Sequence, residues 1–339
     1  MYNVFESMDQ KDHEQIVFCH DSDTKLKAII AIHDTSIGPA LGGCRMWKYS
    51  SEKDALTDVL RLSRGMSYKA AIANLNLGGG KAVIIGDSKT EKSEILFRSF
   101  GRFVDGLDGR YITAEDVSTT VKDMEWVRME TKYVTRISRA LGGSGDSAPV
   151  TALGTYAGQR ACVKRKLGKD SLEDLRVGVQ GVGHVGFYLC QHLDHAGVKL
   201  FVTDADKESL KKVVNDFKAE VLGLNDIYAP CALGATLIDL TIPQLKCSII
   251  AGAANNQLEK ESKHADMIEN RDIMYAPDYA INAGGLINVA NEIEGYNRER
   301  AFSQAQSICD TLMVIFDLAD SEKISTHMAA SKVVERRMQ

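Results

Sequence analysis

Six consecutive residues, Gly181-Val182-Gly183-His184-Val185-Gly186, follow the spacing G-x-G-x-x-G. Three glycines in so short a stretch arise by chance, so the surroundings decide what the pattern means. A strand-like run at 177–180 precedes it, a helical pattern through Phe187, Leu189 and Cys190 follows, and a second strand-like run then ends at Asp204. Strand, turn, helix and acid in that order read as a phosphate-binding turn for a dinucleotide. Gly181 makes the tight turn, Gly183 lets a pyrophosphate approach the backbone, and Gly186 brings helix against strand, with the helix N-terminus facing the phosphates. Val182, His184 and Val185 complete the loop, His184 as a surface helix residue rather than a catalyst. Asp204 would bind the adenosine ribose hydroxyls and repel a 2′-phosphate. The flanking Ala205 and Asp206 bring no cation to reverse that preference, so NAD is the expected cofactor. The plainer reading is a glycine turn in a sheet that binds nothing.

A nicotinamide needs a partner site, and the N-terminal part of the chain offers Lys69, Lys81 and Asp116. Removing hydride from the α-carbon of an amino acid requires a cation for the carboxylate and a base that acts near neutral pH. Two buried lysines could divide those tasks, because desolvation and a neighbouring ammonium both depress a lysine pKa. Lys69 continues the Leu62 and Met66 side of a helix that opens at Ser51, with Asp54 as its capping partner. The alternative for Lys69 is a snorkelling lysine whose stem covers the core. Lys81 follows Gly78-Gly79-Gly80 and leads into the strand-like run Ala82, Val83, Ile84 and Ile85. The glycines permit positive φ and close approach to the backbone, or else form a flexible turn carrying an exposed lysine. Asp116 follows a strand at 111–113 and precedes a helix capped by Thr119 or Thr120; a turn carboxylate is the commoner fate of such a residue.

The elements that must position these residues fall into two groups. A length of 339 residues exceeds what one hydrophobic core usually serves. The loop-like stretch LGGSGDSAP at 141–149 is the natural boundary, with Pro149 in a first helical turn. Beyond it, a helix (150–167, stopped by Gly168) leads to strands at 176–180 and 199–203, a helix at 207–217, and strands near 248–251 and 273–276. That alternation argues a parallel, doubly wound sheet. The fold expected is therefore α/β with two domains. Residues 1–146 form an N-terminal α/β substrate domain, to which C-terminal helices at about 320–339 could return, and residues 147–319 form a Rossmann-type NAD-binding domain. Asn297 caps a long amphipathic run, and a final helix covers 326–338.

The composition, 44% hydrophobic and 26% charged, is that of a globular chain. A net charge of -5 lacks the basic excess of a nucleic-acid binder. Seven scattered cysteines with no C-x-x-C signal neither disulfides nor a metal site and suit a reducing cytosol. No signal peptide or membrane-spanning run stands out, so a cytoplasmic location is expected.

The segments Gly38-Pro39-Ala40-Leu41-Gly42-Gly43, Met66-Ser67-Tyr68-Lys69-Ala70-Ala71, Leu77-Gly78-Gly79-Gly80-Lys81-Ala82, Thr113-Ala114-Glu115-Asp116-Val117 and Asn282-Ala283-Gly284-Gly285 resemble the glutamate/leucine/phenylalanine/valine dehydrogenase family. Residues 228–235 (YAPCALGA), 250–258 (IAGAANNQL) and 295–301 (GYNRERA) are similar to its leucine-acting subgroup, and the likeness covers almost the whole chain. The resemblance implies that Lys69 binds the substrate α-carboxylate, Lys81 activates the attacking water and Asp116 moves protons to and from the amino group. It also implies that Thr151, Asn255 or Asn256, and Asn282 lie near the nicotinamide. The implied reaction is reversible oxidative deamination of L-leucine and related branched-chain amino acids to 2-oxo acids and ammonia. A valine- or phenylalanine-preferring enzyme and a silent NAD-binding regulator are the alternatives.

Relatives acting on glutamate place a lysine and a serine where this chain has Leu41 and Val289, so no cation awaits a second carboxylate. With Gly42, Ala114 and Leu286 these residues imply an aliphatic pocket. The chain runs shorter than that subgroup near 220–224 and at the C-terminus. A homo-oligomer is implied, an octamer being the number the resemblance suggests.

Overall fold

The structure, a computed structural model, describes residues 3–221, 225–232 and 234–339. Leu222 to Leu224, in the stretch where a shortening is expected, and Leu233 of the 228–235 segment lie outside the described residues. The chain divides into two compact units. One comprises Met1–Gly145, Val289–Tyr296 and Arg337–Gln339; the other comprises Asp146–Asn288 and Asn297–Arg336. Of the C-terminal helical residues only the last three join the first unit. The segment that does return, 289–296, begins inside a helix and carries no boundary signal in the sequence.

The first unit contains helix α1 (Val4–Asp9), strands β1 (Gln15–Asp21), β2 (Leu26–Asp34) and β3 (Ala40–Trp47), helix α2 (Glu52–Ile72), β4 (Gly78–Ile85), α3 (Glu94–Asp105), β5 (Tyr111–Glu115) and α4 (Val121–Arg128). The sheet order is β1-β2-β4-β3-β5, antiparallel at β1/β2 and β2/β4 and parallel at β4/β3 and β3/β5. Both faces are covered, and β2 shows how. Ile30 and Ile32 pack with Phe97, Phe100, Met124 and Val127 on one side, while Ile29 and Ala31 pack with Leu56, Val59 and Leu60 of α2 on the other. Each fully buried side chain of this size contributes about 1.5–3 kcal/mol. Helix starts follow local chemistry: Ser51 accepts from the Asp54 N–H, and Thr120 forms a capping box with Asp123.

The glycine triplet before Lys81 is strand, not turn: Gly78, Gly79 and Gly80 belong to β4 and none has positive φ. Crowding explains the glycines instead. A Cβ on Gly78 would lie 1.9 Å from the Asp34 carbonyl oxygen, and one on Gly79 would lie 2.1 Å from the Ser67 nitrogen.

The second unit begins with α5 (Ala148–Leu167), ended by Gly168 at φ 65°. There follow β6 (Arg176–Gln180), α6 (His184–His195), β7 (Lys199–Thr203), α7 (Lys207–Phe217), β8 (Glu220–Val221), β9 (Ile227–Pro230), β10 (Ile249–Ile250), α8 (Glu261–Glu269) and β11 (Met274–Tyr275). The remaining helices are α9 (Asp278–Ile281), α10 (Gly284–Ile293), α11 (Arg298–Gln306), α12 (Ile308–Glu322) and α13 (Thr326–Met338). All six strands are parallel, in the order β8-β7-β6-β9-β10-β11, the doubly wound arrangement of Rossmann folds. The amphipathic run that Asn297 caps is two helices. At Ser307 the hydroxyl donates to the Ser303 carbonyl, a back-bond that bends helices. All seven cysteines are free, and Cys231, Cys247 and Cys309 are only half-buried. Among the described residues no helix is long and apolar enough to cross a membrane.

Candidate active site

Strand register gathers the first set of residues. Leu41 pairs with Gly79 and Ile112, and Gly43 with Ala114, so Leu41, Gly43 and Arg45 of β3 share a face with Gly79 and Lys81 of β4 and Ala114 of β5. On this face α2 packs, with Ser67 against Gly79. Lys81 is 5% exposed, and its Nζ lies 3.0 Å from Oδ2 of Asp116. Asp116 comes this close to β3 because Gly43 has no side chain; a Cβ there would sit 2.7 Å from the Asp116 Cβ. Its backbone N–H donates to Thr119 Oγ1 at 2.8 Å, and that hydroxyl donates to the Cys44 carbonyl at 2.8 Å, which fixes the turn. Burial pushes the Asp116 carboxyl up, but the Lys81 ammonium and the Arg45 guanidinium outweigh it and hold the group below the usual carboxylate value.

Other expected substrate residues are placed differently. Lys69 is half-buried on the last turn of α2, not buried, because it lies on the Leu62 and Met66 flank while Ser63, Ser67 and Ala70 form the innermost face. Gly42 lies on the opposite face from Leu41. Its carbonyl accepts from the Tyr111 hydroxyl at 2.7 Å, and a Cβ would fall 1.7 Å from the Gly80 oxygen. A side chain at this position would break the close packing of β3 on β4. Leu286 and Val289 are both buried on α10, Leu286 in the second unit and Val289 in the first.

In the second unit the three motif glycines differ. Gly181 has φ 95°, and a Cβ on it would meet Ala232 at 2.6 Å. On Gly186 it would lie 2.0 Å from the Gly181 carbonyl oxygen, whereas on Gly183 it would meet nothing within 4 Å. Gly183 is the N-cap of α6 with no side-chain cap, so the backbone N–H groups of that turn face an open cradle beside exposed His184. Asp204 is oriented by the loop itself: Oδ2 accepts from the Val182 N–H at 2.6 Å and Oδ1 from the Asp206 N–H at 2.8 Å.

Asn282 Nδ2 donates to Asn255 Oδ1 at 2.7 Å, while its buried Oδ1 finds no hydrogen-bond partner among the described residues. Asn256 instead adopts φ 50° and gives its carbonyl to the Ala235 N–H. Glycines again allow the approach of Thr151, since a Cβ on Gly284 would lie 2.8 Å from the Thr151 Cα. An open phosphate cradle, a preset carboxylate and an orphaned amide oxygen fit a dinucleotide ending in a carboxamide.

Arg45 was not foreseen from the sequence, nor were its partners. Its Nε lies 3.0 Å from Asp116 Oδ2 and its NH1 2.9 Å from Asp58 Oδ2, which also accepts from the Tyr49 hydroxyl at 2.8 Å. Two periodicities carried the signal. Leu41, Gly43 and Arg45 alternate along one strand, and Asp58, Leu62 and Lys69 recur along one stripe of α2.

The mixed sheet with its buried lysine–aspartate pair, joined in sequence to a parallel Rossmann sheet with an open glycine loop, defines an α/β oxidoreductase. Residues 13–133 match the family model for the dimerisation domain of Glu/Leu/Phe/Val dehydrogenases, and residues 201–317 match the model for glutamate/leucine/phenylalanine/valine dehydrogenase. The chain is 54% identical to the leucine dehydrogenases of Bacillus cereus and Geobacillus stearothermophilus, over 99% of its length and 93% of theirs. The crystal structure of L-tryptophan dehydrogenase from Nostoc punctiforme superposes with a TM-score of 0.91 at 47% identity, covering 99% of this chain and 98% of that one. The chain thus belongs to the glutamate/leucine/phenylalanine/valine dehydrogenase family and is an amino acid dehydrogenase.

Proposed function

We propose that the protein carries out the reversible, NAD-dependent oxidative deamination of L-leucine and other branched-chain aliphatic L-amino acids. The observation that carries this reading is the buried Lys81, paired at 3.0 Å with Asp116 on the sheet face that also bears Leu41 and Ala114. An amino acid, NAD+ and water give a 2-oxo acid, ammonium, NADH and a proton. The loop 181–186 and Asp204 would hold the dinucleotide, with Thr151, Asn255 and Asn282 at its nicotinamide end. Bound NAD would supply the acceptor for the hydride leaving Cα. Lys69 holds the α-carboxylate, and Asp116 takes a proton from the substrate ammonium and later returns one to the departing nitrogen. Lys81, once it has given up its own proton to solvent, takes the proton of the water that adds to the imine carbon. A charge-stabilising pair fixed in advance costs no reorganisation during the step.

Leu41, Ala114 and Val289 of the first unit favour an aliphatic side chain, because a second carboxylate would be buried beside them without a cation. We place the enzyme in the cytoplasm as a homo-oligomer, an octamer being the expected number, with no nucleic-acid or membrane partner.

NADH absorbance with purified protein and single L-amino acids at alkaline pH tests the reading. Leucine, isoleucine and valine should turn over well, and phenylalanine and tryptophan poorly. Silence with every aliphatic amino acid would sink the proposal, and equal rates with NADP would remove the role given to Asp204. Lys81→Ala should lower kcat by roughly 10²–10⁴-fold while NAD still binds.

A further inference from the structure

Oδ2 of Asp116 takes two cations, Lys81 Nζ and Arg45 Nε, each at 3.0 Å. Arg45 does not belong to the aspartate alone: NH1 reaches Asp58 at 2.9 Å, and Asp58 in turn takes Arg61 at 3.1 Å and the Tyr49 hydroxyl at 2.8 Å. The result is a row of alternating charge from β4 through β5 and β3 to α2. Arg45 is about a fifth exposed, as is Asp58, so the row is largely shielded from solvent. The planar guanidinium fork is what lets one side chain hold two carboxylates at fixed angles; an ammonium could satisfy one of them as a point charge.

We propose that Arg45, braced by Asp58, is a positioning residue for the deamination: it anchors Oδ2 of Asp116 beside Lys81 and leaves Oδ1 as the oxygen that exchanges a proton with the substrate nitrogen. This rests on the reading of Asp116 as the proton-exchanging carboxylate. The titratable and charged groups that bear on that carboxylate come from all three neighbouring strands and from α2. They are Lys81 on β4, Arg45 and the buried Cys44 thiol on β3, Tyr111 on β5, and, beyond Arg45, Asp58 and Arg61 on α2 with Tyr49. Glu115, next in sequence, is occupied by Arg136. Removing the positive charge of Arg45 therefore makes Asp116 easier to protonate, and removing the negative charge of Asp58 makes it harder.

The test compares Arg45→Gln, Arg45→Lys, Asp58→Asn and Asp116→Asn in the full-length protein, with circular dichroism as the control for folding. Acid titration followed by infrared difference spectra, with the Asp116 band assigned by its loss in Asp116→Asn, should show that carboxyl titrating at higher pH in Arg45→Gln than in the wild type. In Asp58→Asn it should move down. Arg45→Gln should lower kcat about tenfold with little change in the amino acid KM and a larger solvent isotope effect on kcat, and Arg45→Lys should recover part of the loss. An unmoved carboxyl and an unchanged isotope effect in folded Arg45→Gln overturn the proposal. Should Arg45→Gln not fold, a carboxyl that fails to move down in Asp58→Asn overturns it. Near-normal kcat in Asp116→Asn would overturn the reading of Asp116 itself; an inactive Asp116→Asn beside an unaltered Arg45→Gln overturns the role of Arg45 alone.

Discussion

Glycines separate structural from binding roles residue by residue, because the space around each is fixed. Gly186 has a backbone oxygen 2.0 Å from where its Cβ would be, whereas Gly183 has open space. Alanine at 186 must push helix α6 away from the turn and should cost about 1–3 kcal/mol. Alanine at 183 meets no atom of the folded chain and weakens only the N-cap of α6, so its thermal midpoint should fall less than that of the variant at 186. It would, however, occupy the cradle, and NAD affinity should fall by about tenfold or more, some 1.4 kcal/mol. Isothermal titration and thermal melts of the two variants check this pair. Wild-type NAD affinity in Gly183→Ala would show that no phosphate approaches that backbone.

Elements were legible where local chemistry marks them. Ser51, Thr120 and Asn297 cap helices as their side chains suggest, and β6, α6, β7 and α7 follow the apolar periods. The strands β8 and β9 carried no such signal, because two to four residues are too few for a period, and their pairing with distant partners defines them. Likewise Lys81 and Asp116 were readable from their motifs, but the Arg45–Asp58 link is a contact between strand and helix that only folding creates.

The packing of α2 carries another long-range feature, a buried histidine pair. His13 Nε2 lies 2.8 Å from Ser63 Oγ, His33 Nδ1 lies 2.8 Å from Ser67 Oγ, and the rings meet edge-on at 4.9 Å. Burial, with the neighbouring His33, pushes His13 down from 6.5 to about 4, and its buried Nδ1 has no hydrogen-bond partner among the described residues. The unfolded chain thus binds a proton near pH 6.5 that the folded chain refuses until about pH 4. Stability from this group is full above the unfolded value and is lost as pH falls through that window, by on the order of 3 kcal/mol. Urea midpoints should drop between pH 7 and pH 4, and less steeply in His13→Gln. Parallel profiles for the two proteins would remove His13 as the cause.

At the scale of the whole molecule, the unsolved surface is the edge of the first sheet. Among the described residues β1 pairs with β2 alone, so one row of its backbone N–H and C=O groups has no described strand beside it. Along that strand Cys19 is buried in the core while Phe18 is 58% exposed. A bare edge carrying an aromatic side chain invites uncontrolled pairing unless another chain covers it. A second copy of β1, running antiparallel about a two-fold axis, would satisfy both backbone rows at once and bury the two Phe18 rings together. Sedimentation should therefore report a multiple of the single-chain mass. Phe18→Glu, which places like charges opposite each other at that axis, should shift the protein to smaller species with its far-ultraviolet circular dichroism unchanged. A wild-type chain that sediments as a monomer, or a Phe18→Glu variant that assembles as the wild type does, would place the subunit contact away from this edge or remove it altogether.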